Sequence, residues 1–164
     1  GGLWIADYNN GLISVTPQGY QLMLTPAGPK SPAVYSMQCS KGRLWAASGG
    51  LSLAAPSYLS SGIYYFADES WQTFDRTNDA VYNTLQFSDV VCIAIDPDDA
   101  GHAFVGGWGG GLIEYGTNGA TKIYTPSNSP IAPINAATPG YYLVAVGGVA
   151  FDNNKNLWVA EGLM

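Results

Sequence analysis

Leu3-Trp4-Ile5-Ala6-Asp7-Tyr8-Asn9-Asn10-Gly11-Leu12 is a phrase that returns three times along the chain. The second copy is Leu44-Trp45-Ala46-Ala47-Ser48-Gly49-Gly50-Leu51. The third runs from Ala103-Phe104-Val105-Gly106-Gly107-Trp108 to Gly111-Leu112, and the fourth is Leu157-Trp158-Val159-Ala160-Glu161-Gly162-Leu163. Each copy is an apolar residue, an aromatic, two small or β-branched residues and then a turn rich in Gly or Asn. Aromatic and β-branched residues favour a pleated, half-buried strand, and Gly and Asn tolerate the positive φ of a tight turn. The aromatics fall at 4, 45, 104 and 158, so the intervals are 41, 59 and 54 residues. Strand-bearing units at such intervals predict β-propeller blades.

Working outward from the phrase completes each unit. In the first, Leu12 to Thr16 and Tyr20 to Leu24 alternate apolar and polar residues and read as two further strands. The second unit adds a strand in front, Val34 to Cys39, and places Ile63 to Phe66 and Trp71 to Phe74 behind. The third repeats that order with Val90 to Ile95, the aromatic strand, Leu112 to Tyr115 and Thr121 to Tyr124. The last has Val149 to Phe151 and the aromatic strand. With the strands of a blade lettered A to D, the chain reads BCD, ABCD, ABCD, AB. The expectation is an all-β fold of four-stranded antiparallel blades, about three blades' worth, in units of about 1–25, 34–75, 90–125 and 148–164. Propellers close with roughly four to eight blades. The reading is therefore a single propeller fragment whose missing blades come from further chain or from a second copy, a possible homodimer.

Composition narrows the function. Of 164 residues 11% are charged and 47% hydrophobic, with 21 Gly and 10 Pro, a turn-rich β composition and not a disordered one. A net charge of −6 leaves no basic cluster to neutralise phosphates, so a nucleic-acid partner is not expected. No apolar run is long enough to span a bilayer, and no signal peptide opens the chain. Cys39 and Cys92 fall about four residues apart along matching strands, roughly 13 Å at the usual rise, too far for a disulfide. Both read as buried, inert thiols.

The chain offers little for catalysis. Its one histidine, His102, lies in a turn, and nucleophilic relays need a histidine beside the nucleophile. Asp152, Asn154 and Asn156 have the alternate spacing of a calcium loop but lack the later Gly and Glu, so they read as turn formers. Asp7 and Glu161 occupy equivalent places after the aromatic, while Ser48 and Gly107 stand there in the other units, so a carboxylate pair is not repeated. No catalytic residue, metal or cofactor is expected. The repeated aromatics Trp4, Trp45, Phe104 and Trp158 read as packing between blades. In a propeller the B–C turns and D–A connections share one face. That face gathers the candidate ligand-binding residues Asp7, Tyr8, Asn9, Asn10, Tyr58, Trp108 and Glu161. Exposed aromatics and amides on loops suit sugar stacking or protein contact.

Val149 to Ala160 spells a run of apolar-x-Ala-Phe-Asp, three residues, then Asn-Leu-Trp-Val-Ala. This resembles the two-component regulator propeller repeat of Bacteroidetes proteins. Trp4-Ile5-Ala6-Asp7 before Asn10-Gly11-Leu12, Tyr64-Tyr65-Phe66 before Trp71, and Ile95-Asp96-Pro97 before Phe104-Val105-Gly106 extend the likeness. So do Gly110-Gly111-Leu112 and Asn128-Ser129-Pro130. More narrowly, the chain resembles the N-terminal propeller region of PorZ-type proteins of the type IX secretion system. The resemblance implies a periplasmic or cell-surface, non-enzymatic scaffold that contacts protein partners or glycan, including lipopolysaccharide. A ligand-sensing, glycan-binding ectodomain of a hybrid two-component regulator is the competing implication, and a glycan-active propeller enzyme the weakest. The chain departs from both families in having few blades and neither a carboxy-terminal module nor a kinase.

Overall fold

A computed structural model of the chain describes residues 2–8, 11–24, 27–52, 55–59, 62–80, 82, 87–134 and 143–162. Within these residues the fold is a series of antiparallel sheets, each a meander in chain order. Sheet I holds β1 (Leu3–Asp7), β2 (Gly11–Val15) and β3 (Gln21–Leu24). Sheet II holds β4 (Ser36–Ser40), β5 (Arg43–Ala47), β8 (Ile63–Ala67) and β9 (Ser70–Phe74). The short pair β6 (Leu51–Ser52) and β7 (Ala55–Pro56) is inserted between β5 and β8. Sheet III holds β10 (Ser88–Ile95), β11 (Ala103–Trp108), β12 (Leu112–Gly116) and β13 (Gly119–Tyr124). Sheet IV is β14 (Val146–Phe151) with β15 (Leu157–Glu161). The strand series expected from the repeat is present, and β6–β7 is an addition lying in the long second-unit loop.

The registers superpose. Trp4 pairs with Ser14, Trp45 with Tyr65 and Phe104 with Glu114, so the repeated aromatic holds one place in every sheet. Side chains alternate across a strand, which sends this aromatic toward the sheet that follows and its neighbours toward the sheet before. Trp45 accordingly enters the core between sheets II and III with Tyr65, Phe74, Ile95, Val105 and Tyr115. It is fully buried, and its Nε1 donates to the Ala100 carbonyl at 3.0 Å. Phe104 faces the other way, into a second cluster of Cys92, Leu112, Ile131, Val144 and Val146 that Leu157 and Val159 of sheet IV adjoin. Strand β10 touches β4 and β5 on one side and β14 on the other. Sheet III is thus covered on both faces. At Gly106 a Cβ would overlap the side chain of Val146, so only glycine allows the close approach of sheet IV.

Two expectations are corrected. Trp4 and Trp158 are not core: they are 57% and 67% exposed. The aromatic is buried only where a following sheet covers it. No described strand follows sheet IV, and no residue of β1–β4 is buried. Cys39 is exposed, not buried. It pairs with Leu44, on the opposite face of sheet II from Trp45 and toward the uncovered side. Cys92 is buried and its thiol donates to the Val146 carbonyl at 3.5 Å; burial pushes it up to about 11, so it stays protonated and unreactive. The two thiols are free, as their spacing predicts.

The ends of the outer strands share a cap that the repeat analysis did not anticipate. Asn78 accepts from Asp75 N and donates to Thr73 O; Asn128 accepts from Thr125 N and donates to Ile123 O. In both, an amide four residues after the last aromatic of the sheet satisfies the backbone where pairing stops.

Trp45→Ala is expected to destabilise the protein by about 3–5 kcal/mol, as for large buried aromatics. The equivalent change at exposed Trp4 should stay within about 0.5 kcal/mol. Urea unfolding of both variants checks the contrast.

Candidate functional site

The site begins at the base of the second-unit insertion. Ser48, buried, donates through Oγ to the Gly62 carbonyl and also bonds it through its backbone N–H, which brings the two ends of the insertion together. The insertion is held at its far end by Asp89. One carboxylate oxygen accepts from Tyr58 N at 2.7 Å and the other from Leu59 N at 2.9 Å, while Asp89 N donates to Leu59 O at 2.8 Å. Asp89 is wholly buried at the start of β10, with φ of 48°. A buried carboxylate is tolerable where N–H donors satisfy it. This fixes the Tyr58 backbone at φ 55° and leaves its ring 71% exposed.

Trp108 lies beside this clamp. It pairs with Ser88 across a bulge in β10–β11 and bridges to Ala145 on its other side. Gly109 N donates to Val144 O and Gly162 N to Ala145 O, extending the contact to the end of sheet IV. Asp89, Gly107, Trp108, Ala145, Gly147 and Gly162 line an apolar slot here of about 50 Å3. That is room for a few waters or a small apolar group, not for a sugar ring. Next along, Glu161 accepts from Ala132 N at 2.8 Å, and beyond it a wider groove runs between Tyr124, Ile131 and Trp158.

Contacts through Asp89, Ala145 and Gly162 thus link the Tyr58 backbone, Trp108 and the strand end that carries Glu161. Asp7 and Tyr8 lie on sheet I: Asp7 ends β1 opposite Gly11, and Tyr8 is fully exposed. Asn9 and Asn10 lie outside the described residues. The organising residue, Asp89, is one that the sequence does not advertise: it ends a connection, and its partners lie 30 and 31 residues earlier.

The remaining chemistry is engaged elsewhere. His102 Nδ1 is 2.9 Å from Asp96 Oδ2 and its Nε2 is 2.9 Å from Glu114 Oε1, so neither nitrogen faces a hydroxyl or thiol. Burial would lower its pKa, but the two carboxylates outweigh that and hold it above the ordinary value. Asp152 accepts from Trp158 Nε1, Asn156 Nδ2 and the backbone N–H groups of Asn154 and Asn156. The Trp158 and Asn156 bonds, foremost, hold it at about 2. Its oxygens serve the turn. Among the described residues no group of three or more His, Cys, Asp or Glu is arranged to hold a metal ion.

No protein-family model matches this chain, and no curated protein does. Among solved structures there is a clear likeness, at a TM-score of 0.66 and 31% identity, over 93% of this chain. The chain is similar to PorZ. That protein is described as an essential bacterial surface component of the type-IX secretion system of the human oral bacterium Porphyromonas gingivalis. This chain spans 20% of the PorZ chain. No helix among the described residues is long and apolar enough to cross a membrane.

Asp89→Ala leaves two backbone N–H groups without their acceptor and is expected to cost about 1–3 kcal/mol. Faster amide exchange at Leu59 than at Val105 of the core strand β11 would localise the loss to the insertion.

Proposed function

We propose that this chain is part of an extracytoplasmic, non-enzymatic β-propeller scaffold, a PorZ-like component of type IX secretion. The likeness to PorZ over nearly the whole chain carries this reading. The stacking of sheets II, III and IV through their first strands supports the propeller part of it, with each sheet a blade or part of one. The surface from Tyr58 to Glu161 is what such a scaffold offers to a protein or glycan, because a clamp on Asp89 holds it rigid. Exposed Leu3, Trp4, Leu22 and Met23 on sheet I suit contact with further propeller blades, whether from the same chain or from another copy.

The second reading is a glycan-sensing ectodomain of a two-component regulator. One observation favours it: Tyr58, whose side chain is exposed and whose backbone bonds Asp89, and the partly buried Trp108 adjoin the same buried carboxylate, which suits stacking on a sugar face.

Deleting the gene in its native host should abolish secretion of type IX cargo, and the tagged protein should be digested by protease added to intact cells. Unchanged cargo secretion would sink the first reading. Glycan-array binding lost in Trp108→Ala, in a strain whose secretion is intact, would favour the second.

A further inference from the structure

His102 stands at the end of the turn between β10 and β11, where five elements meet. Asp96 directly follows β10, and Glu114 comes from β12. Tyr124 of β13 donates its hydroxyl to the other Glu114 oxygen at 2.7 Å, and Lys122 lies 4.4 Å over the Tyr124 ring. Phe104 of β11 packs edge-on to the imidazole at 5.0 Å and in turn against Phe151 of β14 at 5.8 Å. The outer side of the turn carries charges from both neighbouring sheets. Lys41 donates to the carbonyls of Pro97 and Asp98, Lys155 bonds the Asp98 carboxylate, and Arg43 lies beside Gly101.

The geometry at the ring is informative. A neutral imidazole has one N–H, and a carboxylate offers only lone pairs. With acceptors 2.9 Å from both nitrogens, the neutral form would set a ring lone pair against a carboxylate. Through its other oxygen Glu114 also accepts from Tyr124. We propose that His102 is held as an imidazolium by Asp96 and Glu114, and that this charge fastens the 96–102 turn so that losing the proton loosens the seat of sheet IV on sheet III. Phe104 is the link, since it touches both the imidazole and Phe151.

The sign follows from the two shifts. His102 is raised above its ordinary 6.5, so its contribution is complete below that value and lost as pH rises through the folded value. Asp96 is lowered from 3.8, chiefly by the His102 bond, so its contribution is complete above 3.8 and lost only in stronger acid. The cluster therefore contributes fully in mildly acidic solution and weakens toward alkaline pH.

Imidazole nitrogen NMR of the full chain tests the charge. Both ring nitrogens should be protonated at neutral pH, and Glu114→Gln should lower the midpoint by about one unit, a tenfold change in the proton equilibrium. A neutral tautomer at pH 7 overturns the proposal. Amide exchange tests the coupling. After correction for intrinsic rates, protection at Val149 and Val159 should fall above the His102 midpoint while that at Ile63 of sheet II holds. In His102→Gln the fall should vanish; should that variant not fold, the wild-type titration decides alone. Equal protection on both sides of the midpoint overturns the coupling.

Discussion

The fold rests on the burial of apolar faces between successive sheets, and Trp45 is the place where this is most complete. A sheet in water needs its apolar face packed against another element to be stable. Sheet III meets that need on both of its faces. On one side the Trp45 indole, itself bonded to the Ala100 carbonyl, locks sheet II in place. On the other, Gly106 lets Val146 approach closely enough for sheet IV to seal Cys92 and Leu112. The exposed apolar surface of sheet I and of Trp158 follows from the same rule, because nothing described covers those faces.

The candidate surface depends on this stack. Asp89 and Trp108 sit at one end of sheet III, which is the most thoroughly packed element, so the loops that reach them inherit its rigidity. The opposite end of the same sheet carries the Asp96–His102–Glu114 cluster and the lysines of its neighbours. One sheet thus supports the Asp89 clamp with Trp108 at one end and a charged network at the other.

Much of the architecture was legible in the residues. The recurring aromatic, the alternation in Leu12-Ile13-Ser14-Val15 and the Gly-rich turns specified strand, order and sheet membership, because strand period and turn chemistry are local properties. The turn role of Asp152, Asn154 and Asn156 was legible for the same reason: its donors and acceptors lie within six residues. The Asp89 clamp was not, since its partners are 30 and 31 residues away, and neither were the two carboxylates on His102, one of which comes from another strand.

What the sequence determined by itself is the repeat: which residues are strands, and that one aromatic takes the same position in each sheet. What only the tertiary structure decided is what that aromatic does. In Trp45 it is core, in Phe104 it joins the edge of a polar cluster to sheet IV, and in Trp4 and Trp158 it is open to solvent. The four share one local pattern, but burial is a property of the neighbouring sheet, and no local pattern encodes whether a neighbour is there.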